Sequence, residues 1–244
     1  MIEPFGWLAL GAAAIVASSI GGVAGFGTGA IMIPVIAWTM GPKATVPVLT
    51  VGMFIGSGAR LWFNRHDVDV RVAGAYLIGA IPCGVLGAML YSSIEGPWIS
   101  RLLGAFLLVA VPGRRWLTAH GLRVRLSHFP LIGGVFGFLG SLVGAIGPVV
   151  SPFFLAHGLM RGAYVSTDAL CTVGNYLTRG LVFQRYQLMT EATVVVGLYI
   201  GVIMIGGAWI GRRLLDRLSE RRFLRLIEAL LIVCGLQMLL WPAR

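Results

Sequence analysis

Two stretches of this chain resemble one another, and each interrupts a long hydrophobic segment. The first, Gly21 to Ala44, reads GGVAGFGTGAIMIPVIAWTMGPKA. The second, Gly140 to Ala163, reads GSLVGAIGPVVSPFFLAHGLMRGA. Aligned, Gly29 falls on Gly147, Pro34 on Pro152 and Lys43 on Arg161. An apolar chain of two similar halves, each opening on a segment broken by glycine and proline, carries the signature of a secondary transporter. Non-helical backbone at membrane depth is tolerated only where protein or a polar cavity covers the freed N–H and C=O groups. The breaks therefore point to a binding site.

Composition fixes the environment. Hydrophobic residues make up 57% of the 244 and charged residues 11%, with a mean hydropathy of +0.88. A soluble domain of this size carries about twice that share of charge. Several apolar stretches approach the roughly 20 residues that span a bilayer. They are continuously apolar rather than alternating, so strands are not expected. The expected fold is an all-α, polytopic membrane protein. The start, MIEPFGWLAL, lacks the basic n-region of a cleaved signal peptide and reads as structure. Cys83, Cys171 and Cys234 sit singly in apolar segments and read as small buried hydrophobes.

The apolar stretches run over 5–40, 44–63, 72–94, 97–113, 129–157, 162–182, 190–211 and 222–241. As straight helices the first and fifth would reach roughly 54 Å and 44 Å, against a hydrocarbon core of about 30 Å. Both carry the Gly/Pro break near the middle. The net charge of +10 lies between the apolar stretches, so it speaks to orientation and not to nucleic acid. The basic loops Arg65–Arg71, Arg114–Arg125 and Arg212–Arg225 are all expected in the cytoplasm. An even number of crossings must then separate the second from the third. So 129–157 enters and leaves as two short helices, and by the repeat 5–40 does the same. Each half makes an odd number of crossings. The result is an inverted repeat, 1–113 against 129–244, joined by a basic cytoplasmic linker, 114–128, with both termini outside.

Two sets of residues could carry chemistry. Gly25, Gly27, Thr28 and Gly29 in the first break, and Gly144, Gly147 and Pro148 in the second, allow close approach to backbone. A helix restarting there offers free N–H groups to an anion. Close helix packing through small residues is the competing reading. In segment 162–182, Asp168, Thr172, Asn175 and Arg179 are spaced 4, 3 and 4 and share one helical face. Ionisable groups inside a span default to function. Arg179 and Asn175 donate hydrogen bonds to an oxyanion, and Asp168 carries a proton or pairs with a cation such as Arg161. Snorkelling is the bland account of Arg179. In the first half, Thr50, Ser57 and Arg60 form a weaker stripe, with Arg60 matching Arg179 or serving as an interface anchor. His157 could line a mouth. Trp38, Trp98, Trp116 and Trp241 fall near segment ends as interfacial anchors.

Catalytic sets do not stand out. The chain has no HExxH, no C-x-x-C and no GxxxxGK[ST] phosphate loop, and its nine acids are scattered. No enzyme, cofactor or metal is expected. The leading expectation is alternating-access transport of a small anion, with proton coupling through Asp168 open. An anion channel and a non-transporting membrane subunit remain as alternatives.

On Gly21–Pro34 with its dense glycines, Lys43-Ala44 and the following span, and on the second copy from Gly134 to Ala163, the chain resembles the TauE/SafE sulfite exporter family. That family often has more glycine in the second copy, where Pro148 and Ser151 stand here. The resemblance covers nearly the whole chain. It implies a multi-pass bacterial inner-membrane exporter of sulfite or an organosulfonate, its partners being that small anion and the lipid bilayer. A homodimer is one arrangement open to it.

Overall fold

A computed structural model describes residues 4–24, 28–119 and 123–214. Among these there is no strand. The helices are α1 (Pro4–Ala24), α2 (Thr28–Met40), α3 (Pro42–Phe63), α4 (Val70–Ser93), α5 (Gly96–Ala119), α6 (Phe129–Val143), α7 (Gly147–Ala156), α8 (Arg161–Arg185) and α9 (Glu191–Leu214). Segment 222–241, with Cys234, Glu228 and Trp241, lies outside the described residues. Among the described residues, three pieces are long and apolar enough to cross a membrane: α3, α4 and Leu126–Val143. Large apolar side chains point outward, Leu131 at 74% exposure and Ile78 at 72%, as a lipid-facing surface requires. Trp38, Trp98 and Trp116 are also exposed.

Local sequence sets the ends of these elements. Gly41 alone separates α2 from α3; its φ of 86° suits glycine, and Pro42 then starts α3 with no N–H to satisfy. Asp69 caps α4, accepting hydrogen bonds from the N–H groups of Arg71 and Val72 at 3.0 Å. Its own N–H donates to Thr167 Oγ1 at 2.9 Å, tying this cap to α8. Helix α5 continues past 113 through Arg114 and Arg115 to Ala119, so part of the basic linker is helical.

The second long apolar stretch is broken as expected. Stretch 129–157 divides into α6 and α7, which at 1.5 Å per residue are roughly 22 Å and 15 Å long, each shorter than the hydrocarbon core. In stretch 5–40, α1 ends at Ala24 and α2 begins at Thr28, and 25–27 lie outside the described residues.

The two halves are interleaved. Helix α1 packs on α9 and α4 packs on α6, while α3 lies against α9 and α8 against α4. The first and third helices of each half thus pack against the fourth helix of the other. Contact between α4 and α6 is close: a Cβ on Gly137 would lie 2.5 Å from the carbonyl oxygen of Ala80 and 2.7 Å from its Cα. Small residues let membrane helices approach this closely, gaining dispersion contacts where no hydrophobic force is available.

Buried apolar side chains form two clusters. One gathers Leu10, Ile33, Ile36, Leu49, Ile99 and Ile200, among others. The other gathers Tyr76, Phe129, Phe136, Val150, Phe154 and Cys171, among others.

Candidate functional site

A cavity of about 60 Å³ lies where the two clusters meet, since its lining takes Ala145 and Tyr176 from one and Tyr76, Val150 and Cys171 from the other. A water needs roughly 10–15 Å³ by this measure, so the space fits a few waters or one small ion.

Helix α8 supplies the polar wall. Asp168, Thr172, Asn175 and Arg179 all line the cavity, as their helical spacing would place them. Asp168 and Arg179 are 6% and 3% exposed, so Arg179 does not snorkel to the surface. Instead its guanidinium is clamped. Nε donates to Thr50 Oγ1 on α3 at 2.8 Å, and Nη1 donates to the carbonyl oxygen of Gly140 on α6. The group also stacks over the Tyr176 ring, 4.6 Å from its centroid. The remaining nitrogen, Nη2, is buried and has no hydrogen-bond partner among the described residues. Asn175 Oδ1 is likewise buried and unpartnered.

Helix α3 contributes the second cation. Arg60 is buried, lines the cavity, and donates from Nη2 to Ser57 Oγ at 2.8 Å. Its charge acts on Asp168. Ser57 therefore touches the arginine and is not itself in the lining. Among the described residues, the charged members of the lining are thus Arg60, Arg179 and Asp168.

The breaks meet here. Gly144 ends α6 in the left-handed region at φ 80°, its N–H donating to the Gly140 carbonyl at 2.9 Å. Gly29, one residue into α2, abuts the second break: a Cβ there would stand 2.7 Å from Ala145 Cβ. Thr28 and Gly29 at the start of α2, and Gly147 at the start of α7, all line the cavity. The Tyr176 hydroxyl donates to the Gly144 carbonyl at 3.5 Å, joining the α8 face to the break. Gly25 and Gly27 lie outside the described residues. His157, considered for a mouth, holds the carbonyl oxygen of Val124 at 2.9 Å through Nδ1, which must carry the proton, and sits against Phe129. Among the described residues no three His, Cys, Asp or Glu side chains are grouped to hold a metal.

Residues 10–238 match the family described as Sulfite exporter TauE/SafE. The chain belongs to that family. Short local matches to undecaprenyl-diphosphatases are also found. Undecaprenyl-diphosphatase 2 of Streptomyces coelicolor is 43% identical over 47 residues, 19% of this chain and 16% of that protein. Undecaprenyl-diphosphatase 3 of Frankia alni is 40% identical over 68 residues, 26% of this chain and 23% of that one. The chain thus spans less than a quarter of either relative. No solved structure matches it.

Several lining residues of this TauE/SafE member escaped the sequence reading. Cys171 and Tyr176 flank Thr172 and Asn175 on the same α8 face, three and eight positions beyond Asp168, so helical spacing could have found them. Cys171 is buried as expected but also faces the cavity. Tyr76 on α4 and Ser141 on α6 had no such marker, because the α4–α6 register places them.

Proposed function

We propose that this chain is a secondary transporter, working as an exporter, that carries a small sulfur-containing oxyanion such as sulfite or an organosulfonate across the bacterial inner membrane. The observation that carries the reading is Arg179. A buried guanidinium that lines the cavity is held by Thr50 and Gly140 from two other helices, and its Nη2 has no hydrogen-bond partner among the described residues. Leaving a charged donor unpartnered in a low-dielectric interior is costly unless a ligand completes it. A planar fork with a second cation alongside suits an oxyanion.

Family membership supports sulfur chemistry for that anion. Alternating access by two inverted halves is supported by the exchange of packing partners, α1 on α9 and α4 on α6, and by broken segments that meet at one cavity. In this reading Thr28, Gly29, Gly144 and Gly147 form its backbone cradle, and Ser57 orients Arg60. Thr172 and Asn175 complete the wall. Asp168 couples a proton to the cycle, and both termini lie outside. The local diphosphatase similarities cover too little of either chain to carry an activity.

Binding of labelled sulfite to the purified, detergent-solubilised protein tests this reading. Wild type should bind saturably, and Arg179→Ala and Arg60→Ala should each weaken binding at least tenfold while eluting as folded protein. Undiminished binding in both variants overturns the assignment of the cavity.

A further inference from the structure

Arginine and tryptophan pair twice at helix ends, in opposite order. Beyond the end of α3 the Arg65 guanidinium lies 4.5 Å from the centroid of the Trp62 ring. That cation stands in the loop past its tryptophan, where a snorkelling side chain ends. At the start of α5 the Arg101 guanidinium lies 4.9 Å from the centroid of the Trp98 ring. Here the cation is one turn further into the helix than the tryptophan. Side chains on a helix tilt towards its N-terminus, so Arg101 reaches back over Trp98. That is the headgroup level, where interfacial tryptophans sit.

A groove surrounds this second pair. Its volume is about 770 Å³, within the roughly 300–1,000 Å³ of ligand sites. Glu95, in the turn between α4 and α5, lines its outer end; Trp98 and Arg101 line the middle, and Leu102 and Ala105 the inner end. These residues recur every three or four positions and so share one face of α5. Ile99 and Leu103, fully buried in the core, hold that face outward. Glu95, Trp98 and Arg101 are exposed, and neither Glu95 nor Arg101 forms an ion pair with another described residue. From Glu95 to Ala105 a helix rises about 15 Å, half the depth of a hydrocarbon core.

Read inward from the turn, the groove offers an acid, then a base laid on an aromatic ring, then apolar surface. A phospholipid with a terminal amine carries the complementary order: an ammonium outermost, a phosphate beneath it, acyl chains below. We propose that this groove binds a zwitterionic phospholipid of the phosphatidylethanolamine type, with its ammonium on Glu95, its phosphate on Arg101 and its upper acyl chain along Leu102 and Ala105. The acid and the base cancel, so the site gives no advantage to a lipid of net negative charge. A primary ammonium donates N–H bonds to the carboxylate, which a quaternary one cannot.

Native mass spectrometry of the purified, delipidated full-length protein tests this, with phosphatidylethanolamine, phosphatidylcholine and phosphatidylglycerol of identical acyl chains. A charge-assisted hydrogen bond corresponds to about tenfold in affinity, so phosphatidylethanolamine should bind about tenfold more tightly than either of the others. Glu95→Gln should bring phosphatidylethanolamine and phosphatidylcholine to equal affinity, and Arg101→Gln should weaken both. Arg65→Gln, at the other pair, should leave the preference intact. All three side chains are exposed, so the variants should melt as wild type does in lipid-free detergent, which separates lost binding from lost folding. Tightest binding of phosphatidylglycerol, or equal losses in Arg65→Gln and Arg101→Gln, overturns the proposal in favour of general headgroup attraction. A dimer that survives delipidation and is dissociated by Trp98→Ala places a second copy in the groove and overturns it as well.

Discussion

The bond between Arg179 and Thr50 joins α8 to α3, and replacing Thr50 by valine measures it. Valine matches threonine in shape, so packing around this 2%-exposed side chain stays intact. What is lost is the 2.8 Å acceptor of Arg179 Nε and the hydroxyl's own 2.7 Å bond to the Val46 carbonyl. The second loss is small, because a helix carbonyl keeps its ladder partner. The first is charge-assisted and buried, which places it at roughly 1.5–3 kcal/mol. Neutral interhelical hydrogen bonds in membranes average nearer 0.6 kcal/mol. About 2 kcal/mol is the resulting expectation, or a fall of roughly 4–8 °C in Tm for a chain this long. Thermal melts of wild type, Thr50→Val, Arg179→Met and the double variant form a cycle. The coupling should be about 1–2 kcal/mol, well above the ~0.5 kcal/mol scatter of independent sites. If about 1.4 kcal/mol of this reaches the ligand through a misaimed guanidinium, Thr50→Val binds sulfite about tenfold more weakly. Additive melts with unchanged sulfite affinity would refute the clamp.

Gly137→Ala should destabilise by about 1–3 kcal/mol, since the added methyl meets Ala80 backbone and α4 must shift from α6. Gly58→Ala is its control: nothing lies within 4 Å there, and melts should be unchanged or raised by up to ~1 kcal/mol. Gly144→Ala forces a side chain into φ 80° and should cost about 1–2 kcal/mol; a melt matching wild type contradicts that strain. On the proposed coupling, Asp168→Asn should abolish the response of sulfite uptake to an imposed pH gradient while sulfite counterflow continues. A retained response removes Asp168 from the coupling step.

Local pattern made some of this molecule legible and not the rest. The breaks could be read because Gly144 sits where a helix must turn left-handed and Gly29 where Ala145 of the second half comes within contact, and few other residues serve there. The α8 wall was legible because four polar residues at 4, 3, 4 spacing must share a face wherever that helix packs. The partners of that wall were not. That Thr50 rather than a carboxylate receives Arg179, or that Tyr76 and Ser141 close the cavity, depends on how α3, α4 and α6 are set against α8. No spacing along the chain encodes those registers. Ser57 was read as a ligand-facing residue because it shares a stripe with Arg60, yet it spends its hydroxyl on that arginine.

The central claim is that the cavity around Arg179 carries an oxyanion across the membrane. Counterflow of labelled sulfite into proteoliposomes preloaded with unlabelled sulfite tests it most directly, with wild type beside Arg179→Gln. Saturable counterflow in wild type, lost in the variant although both proteins melt cooperatively, is the predicted result. Equal counterflow in the two would contradict the claim, as would no counterflow in folded wild type.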